Sequence, residues 1–201
     1  MMNCFLFDVD GTLVDTRELI SESLVATIEH QTGQKLAIDA FSEDAHISPL
    51  AILKRYGINS LDRYWSTYNR NIGLARLFDE RTPEVLAELR KREIKLGVVS
   101  SLKKAQVELL LNWVGLINHF QVVLGYHRHY KKPHPGQIQS ALSSLGVSCA
   151  KAAYIGDQDV DLLAAKRAEM TSILVGWSRV NSFSRQPDRT INSFADLLNM
   201  V

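Results

Sequence analysis

Cysteine is scarce in this chain, and several features that would mark a specialised class of protein are missing. Cys4 and Cys149 are the only two cysteines, and they lie far apart without metal-ligand spacing. This excludes a disulfide framework and indicates small buried side chains in a reducing compartment. The net charge is only +1, so no global electrostatic argument favours nucleic acid or a membrane surface. No apolar run reaches the length of a membrane span and no basic leader is visible, so we expect a cytoplasmic protein.

What the sequence does contain is an alternation of strand and helix patterns. Apolar runs predict five buried strands, at 4–9, 96–99, 120–124, 152–155 and 171–175. Between 16 and 79 the apolar spacing is helical throughout, with Gly and Pro as punctuation. The polar stretch 182–189 is predicted to be a loop and 194–200 a closing helix. We therefore predict an α/β protein with a doubly wound parallel sheet, in which 1–15 and 80–201 form a Rossmann-like catalytic core and 16–79 an inserted all-helical cap.

Two carboxylates stand at the end of the first predicted strand. Asp8 and Asp10 flank a single residue and are followed by Gly11, which permits a sharp turn. A buried strand does not carry charge unless the charge is paired or bound to a metal. Ligands of open α/β sheets bind at the carboxyl ends of the strands. The pattern therefore indicates a hard cation, a nucleophile, or both.

Other predicted strands also end in polar side chains. Ser100 and Ser101 follow one strand, and Asp157 follows another, with Asp161 four residues further on. Lys132 follows a third strand through a loop. Because the carboxyl ends of parallel strands share one edge of the sheet, these groups are predicted to converge on Asp8.

The convergent set predicts a distinct role for each member. The carboxylates of Asp8 and Asp157, with the backbone carbonyl of Asp10, would suit Mg²⁺, and the absence of His and Cys from the set argues against zinc. Asp8 is the predicted nucleophile, forming an aspartyl-phosphate, and Asp10 the predicted general acid and base. Asp161 is predicted to support the site, whereas Asp159 is interpreted as a helix-start acid. The predicted phosphate-binding residues are Gly11, Ser100, Ser101 and Lys132.

The order of these motifs resembles the haloacid dehalogenase superfamily, specifically its phosphatase branch with a small helical cap inserted after the first strand. The matching segments are Asp8-Val9-Asp10-Gly11-Thr12-Leu13, Val98-Val99-Ser100, Lys132-Pro133-His134-Pro135 and Gly156-Asp157 with Asp161. The resemblance implies the same roles for these positions, with Mg²⁺ as cofactor. It also implies a substrate like that of phosphoglycolate phosphatases and related inorganic pyrophosphatases. One departure is Ser101, where the family motif usually continues with Asn.

The leading hypothesis is a phosphoric monoester hydrolase that acts on a small phosphorylated metabolite. The alternatives on the same scaffold are an inorganic pyrophosphatase, a sugar phosphomutase or a non-catalytic binding protein. A phosphomutase usually carries His in the helix after the first motif, and 18–24 contains none. Asp10 argues against a dehalogenase. We expect a small phosphorylated substrate, neither nucleic acid nor a membrane as partner, and a monomer or weak dimer.

A basic stretch, His127-Arg128-His129-Tyr130-Lys131, precedes Lys132 and allows two interpretations. It could be an electropositive lip that recruits a multiply charged anion, or a solvated loop with incidental charge. His46 is interpreted as structural or exposed rather than catalytic.

Overall fold

The computed structural model describes residues 1–41, 44, 47–180 and 182–201, and these residues form two compact units. One unit comprises Met1–Val14 and Leu77–Val201, and the other comprises Asp15–Arg76. His46 lies outside the described residues. Among the helices described, none has both the length and the apolar character needed to cross a membrane. That the smaller unit acts as a cap stays a prediction.

The larger unit is built on a six-stranded parallel sheet. In chain order the strands are β1 (Cys4–Phe7), β2 (Val14–Asp15), β3 (Arg76–Leu77), β4 (Lys95–Val99), β5 (Val122–Leu124), β6 (Ala152–Gly156), β7 (Thr171–Val175) and β8 (Arg189–Ile191). The spatial order of the sheet is β5-β4-β1-β6-β7-β8, and every pairing in it is parallel. The short strands β2 and β3 lie where the chain passes between the two units. Because the strand order reverses direction beside β1, the carboxyl end of β1 lies at the topological switch point, where such sheets bind ligands.

The helices follow the alternation that the sequence predicts. They are α1 (Arg17–Thr32), α2 (Pro49–Arg55), α3 (Asp62–Arg70), α4 (Thr82–Lys91), α5 (Lys104–Trp113), α6 (Gly136–Leu145) and α7 (Asp159–Arg167). Short 3-10 helices cover Ile38–Phe41, Ile72–Leu74, Ile117–His119, Cys149–Lys151 and Phe194–Asn199.

Successive side chains of a strand point to opposite faces of the sheet, and both faces of this sheet are covered by packed side chains. On one face Leu6 and Tyr154 belong to a core cluster with residues of α6 and α7, namely Ile138, Ala141, Leu142, Ala164 and Ala165. On the other face the Phe7 ring packs edge-on against Phe120 and Phe194, each with ring centroids 5.9 Å apart. The predicted doubly wound α/β class is confirmed.

Two details of the sequence prediction are wrong at the carboxyl-terminal end. In the part of the chain that the structure describes, the sheet has six strands instead of five, because Arg189–Ile191 forms β8. This edge strand has three residues, of which only Ile191 is buried, so it leaves no periodic apolar pattern to detect. The closing helix at Phe194–Asn199 is a 3-10 helix rather than an α-helix.

The smaller unit consists of helices packed on α1. Its α1 contacts both α2 and α3 and ends at Gly33, whose φ of 73° is left-handed and favours glycine. The rings of Tyr64, Trp65 and Tyr68 lie 4.9 to 5.9 Å apart, and both tyrosines are buried. These three aromatic side chains therefore contribute to the core of this unit.

Asp79 stabilises the larger unit by joining two distant segments. Its Oδ2 accepts hydrogen bonds from Ser193 Oγ (2.8 Å) and the Phe194 N–H (3.1 Å), and its Oδ1 accepts the Arg81 N–H (3.0 Å). Partial burial would raise the pKa of Asp79, but the bonds from Ser193, Arg81 and Phe194 hold it below the ordinary 3.8.

We therefore expect Asp79→Asn to lower the free energy of unfolding by about 1–3 kcal/mol at pH 7. A depressed carboxyl pKa stabilises the fold above the unfolded-state pKa, and this contribution is lost as the pH falls through the folded-state value. The difference between wild type and Asp79→Asn should therefore shrink below pH 3.8. Urea denaturation at pH 7 and pH 3 measures it, with the exposed neighbour Glu80→Gln as control; a difference independent of pH would contradict the assignment.

Candidate active site

The register of the sheet places Asp8 between two other strand ends. Phe7, the last residue of β1, pairs with Val98 of β4 on one side and Ile155 of β6 on the other. The Asp8 N–H continues this ladder by donating to the Ile155 carbonyl at 2.9 Å. Asp8 therefore lies one residue past the paired strands, beside the ends of β4 and β6.

Lys132 lies at the centre of a buried polar cluster. Its Nζ donates to Asp8 Oδ1 at 2.8 Å, to Asp161 Oδ1 at 2.6 Å and to Tyr154 Oη at 3.1 Å. An ammonium group has three donors, so these three acceptors satisfy it completely. The Tyr154 hydroxyl in turn donates to the Val99 carbonyl at 2.7 Å. The sequence prediction missed Tyr154, which reads as one more apolar residue of β6.

Three carboxylates of this region converge. Oxygen atoms of Asp8, Asp157 and Asp161 all lie within 4.8 Å of one another. Thr12 Oγ1 donates to Asp157 Oδ1 at 3.2 Å and so fixes that carboxylate. Gly11 has a φ of 79°, and a Cβ there would lie 2.3 Å from Asp157 Oδ2. Only glycine therefore allows the turn after β1 to approach Asp157 so closely.

Asp161 is held by the start of α7. Its Oδ2 accepts the Gln158 N–H at 3.0 Å, as part of a capping box, while its Oδ1 accepts from Lys132. Both of its oxygens are thus engaged by the protein, and its supporting role stays a prediction. Asp159, interpreted as a helix-start acid, is the first residue of α7 and accepts hydrogen bonds from Ser184.

Burial dominates the electrostatics of the cluster. It raises the pKa of Asp157 well above the ordinary range, and the nearby charges of Asp161 and Asp8 raise it further. Burial likewise raises the pKa of Asp8, although Lys132 opposes this rise. Burial alone would lower the pKa of Lys132, but Asp161 and Asp8 raise it well above 10.5, so its charge is retained.

The donor set fits a hard divalent cation. Among the described residues the cluster combines three carboxylates with one ammonium group, which bonds Asp8 and Asp161, so it carries two uncompensated negative charges when all three carboxylates are ionised. The convergent ligand atoms are carboxylate oxygens, the kind that Mg²⁺ prefers, with no His or Cys among them. A divalent cation held by Asp8 and Asp157 would neutralise the repulsion that raises their pKa values.

The other predicted site residues follow strands at the same edge of the sheet, and they differ in burial and in the hydrogen bonds that they form. Ser100 is buried at the end of β4, and its Oγ accepts the Leu102 N–H at 3.2 Å, so its own hydrogen can still be donated. The Ser101 side chain is exposed, which leaves its backbone as the predicted contact. The Asp10 carboxylate is not part of the group within 4.8 Å in the part of the chain that the structure describes. Its catalytic and metal-binding roles stay predictions.

A further loop that the sequence prediction missed supports the site from β7. Trp177 Nε1 donates to the Gly11 carbonyl at 3.1 Å, and its ring stacks on Phe78 with centroids 5.5 Å apart. Ser178 Oγ donates to the Asp157 carbonyl at 2.5 Å. The same argument about strand ends, applied to β7, would have pointed to Gly176-Trp177-Ser178.

The fold and site together define a hydrolase with a parallel α/β core and an acidic cluster at its switch point, and comparison with known proteins agrees. Residues 5–175 match the family described as haloacid dehalogenase-like hydrolase. A pyrophosphatase PpaX of Oceanobacillus iheyensis is 30% identical, over 98% of this chain and 95% of its own length. A phosphoglycolate phosphatase of Aquifex aeolicus is 27% identical, over 100% of this chain and 97% of its own.

Solved structures show the same fold. A haloacid dehalogenase superfamily hydrolase of Geobacter sulfurreducens superposes with a TM-score of 0.78 at 19% identity, over 99% of this chain and 96% of that one. The chain belongs to the haloacid dehalogenase-like hydrolase family. The predicted resemblance is confirmed, and so is the prediction of an enzyme.

Proposed function

We propose that this protein is a Mg²⁺-dependent phosphatase that hydrolyses a small phosphorylated metabolite through an aspartyl-phosphate at Asp8. The observation that carries the proposal is the cluster at the end of β1, where oxygens of Asp8, Asp157 and Asp161 lie within 4.8 Å of one another and Lys132 bonds Asp8 and Asp161. Phosphatases named among the relatives, such as that of Aquifex aeolicus, support the reaction class.

The proposed reaction assigns one task to each side chain. Asp8 Oδ attacks phosphorus and displaces the leaving oxygen, which Asp10 protonates; Asp10 then accepts a proton from the water that releases phosphate. Lys132 and the Ser100 hydroxyl would donate to the phosphoryl oxygens and so stabilise the charge that shifts in the transition state. Lys132 can change partners for this task because Asp161 and Tyr154 keep its Nζ in place beside Asp8.

The cation would be held by Asp8 and Asp157, with the Asp10 carbonyl as the predicted third protein ligand. When bound, Mg²⁺ would neutralise the negative charge of the acidic cluster and orient a phosphoryl oxygen of the substrate. Thr12 and Gly11 contribute by fixing the position of Asp157 relative to the turn after β1.

Inorganic pyrophosphatase is the second candidate. It is favoured by a specific observation, the 30% identity to pyrophosphatase PpaX of Oceanobacillus iheyensis over nearly the full length of both chains. Pyrophosphate and a phosphate monoester present the same phosphoryl group to Asp8 and differ only in the leaving group. A single substrate panel therefore tests both candidates.

We expect phosphate release from a generic aryl phosphate to require Mg²⁺ and to fall at least about 100-fold in excess EDTA, because the negative charges of Asp8 and Asp157 would then repel the phosphoryl group. Added Mg²⁺ should restore activity. The panel of phosphoglycolate, sugar phosphates, nucleotides and pyrophosphate, ranked by kcat/KM, would identify the substrate class. Activity that is unchanged by the chelator would refute the metal-dependent mechanism.

A further inference from the structure

The loop that connects β5 to α6 presents an unusual number of hydrogen-bond donors. We call residues 126–134 the donor loop. Arg128 and Lys131 are exposed, and among the residues that the structure describes neither has a carboxylate within ion-pair distance. Two neighbouring cations without a counter-charge attract an anion from solution.

The aromatic rings of the donor loop form a column. The Tyr130 ring stacks between His127, at 4.9 Å and 18°, and His134, at 5.2 Å and 29°. His127 Nδ1 accepts the His129 N–H at 3.3 Å, and His134 Nδ1 accepts the Gly136 N–H at 3.0 Å. A neutral imidazole that accepts at Nδ1 carries its proton at Nε2. Both rings therefore offer an N–H donor in addition to the two cations.

The loop is held in shape rather than left to solvent. The Tyr130 N–H donates to the His127 carbonyl at 3.1 Å, and the His134 N–H donates to the Lys131 carbonyl at 2.9 Å. A Cβ on Gly136 would lie 2.7 Å from the Tyr130 ring, so the column packs tightly on the start of α6. A loop that is already ordered loses less conformational entropy when a ligand binds, so it binds an anion more tightly than a flexible loop does.

The donor loop is linked to the cluster at Asp8 through its own Lys132. It follows the carboxyl end of β5, and its own Lys132 is the residue that bonds Asp8. Lys131 is exposed beside the buried Lys132, so one lysine faces the cluster and its neighbour faces solvent. The donors of the loop therefore belong to the same segment that carries Lys132 to Asp8.

We propose that the donor loop is a second anion subsite, which binds an ionised phosphate or carboxylate on the leaving group of the substrate through Arg128, Lys131 and the two imidazole N–H groups. This inference rests on the proposed phosphatase function. It selects substrates that carry two anionic groups, such as pyrophosphate or phosphoglycolate, over esters with an uncharged leaving group.

The test compares the double variant Arg128→Gln/Lys131→Gln with a charge-matched control, Lys151→Gln/Arg189→Gln. Lys151 precedes β6 and Arg189 begins β8. The control therefore removes the same charge at the amino ends of the parallel strands, away from the carboxyl ends that form the site. Each is assayed with pyrophosphate, phosphoglycolate and p-nitrophenyl phosphate. We expect the double variant to raise KM for the better of the two-anion substrates about tenfold or more, with kcat and the aryl phosphate KM changed less than about twofold.

The preferred anion follows from which KM rises more, that of pyrophosphate (a phosphate) or of phosphoglycolate (a carboxylate). An equal rise in KM for the aryl phosphate, an unchanged KM for both two-anion substrates, or the same effect in the control would overturn the subsite.

If wild type hydrolyses none of the three substrates, the proposed function fails and binding decides the subsite instead. Calorimetry would then titrate inorganic pyrophosphate and orthophosphate into the same proteins. A selective loss of pyrophosphate affinity in Arg128→Gln/Lys131→Gln supports the subsite, and equal affinity in all three proteins overturns it.

Discussion

Replacing Asp8 with Asn is expected to lower kcat by at least about ten-thousand-fold without unfolding the protein. The amide keeps the shape of the side chain but is a very poor nucleophile, so the covalent step has no substitute elsewhere in the cluster. Lys132 and the Ser100 hydroxyl would still bind the phosphoryl group, so substrate binding should persist although turnover is lost.

The fold should tolerate this change because the Asp8 charge is not favoured by its surroundings. Burial raises the pKa of Asp8, and Asp161 repels its ionised form, so a neutral amide relieves both effects. Lys132 loses one charged partner, although the Asn carbonyl oxygen can still accept from it, and keeps Asp161 at 2.6 Å and Tyr154 at 3.1 Å. We expect the unfolding temperature in the absence of Mg²⁺ to be equal to or higher than that of wild type.

Steady-state kinetics on an aryl phosphate and thermal unfolding in the same buffer measure both effects. The matched control is Asp159→Asn, two residues after Asp157 but outside the convergent group that the described residues form. Near-wild-type turnover in Asp8→Asn, or a comparable loss in Asp159→Asn, would contradict the assignment of Asp8 as nucleophile.

The main features of this site could be predicted because parallel strands impose them. Once Asp8, Ser100 and Asp157 are assigned to the ends of β1, β4 and β6, the sheet brings them to one edge whatever their separation in sequence. The charged residues were recognisable because a buried charge needs a partner. Gly11 was recognised as a turn, but its close approach to Asp157 depends on tertiary structure.

The residues that were missed differ in the signal that they carry. Tyr154 lies within a buried strand, and its hydroxyl contacts Lys132 and the Val99 carbonyl, which are remote in sequence. Trp177 follows the end of β7, so its position at the edge of the sheet could have been predicted, but its bond to the Gly11 carbonyl depends on the path of the chain after β7. Strand β8 escapes prediction because three residues at an exposed edge do not establish a period.

The second large effect is expected from Lys132→Met, which removes the one cation that the described residues contribute to the buried cluster while approximately preserving side-chain volume. Asp8, Asp157 and Asp161 would then face one another with no compensating charge. Removing one partner from a buried ion pair costs about 3–5 kcal/mol of stability, and the hydroxyl of Tyr154 loses its donor as well. The raised pKa of Lys132 keeps this contribution fully present at pH 7, and it would be lost only as the pH rises past 10.5.

Mg²⁺ should partly rescue the stability of Lys132→Met but not its activity. A divalent cation replaces the missing positive charge, and a ligand that binds only the folded state raises the unfolding free energy. The phosphoryl oxygens nevertheless lack their lysine donor, so kcat/KM should stay at least about 100-fold below that of wild type in saturating Mg²⁺. Urea denaturation at pH 7 with and without Mg²⁺, alongside Lys151→Met as an exposed control, measures the rescue. A Lys132→Met protein as stable as wild type without Mg²⁺ would contradict the assignment of Lys132 as the charge that compensates the buried carboxylates.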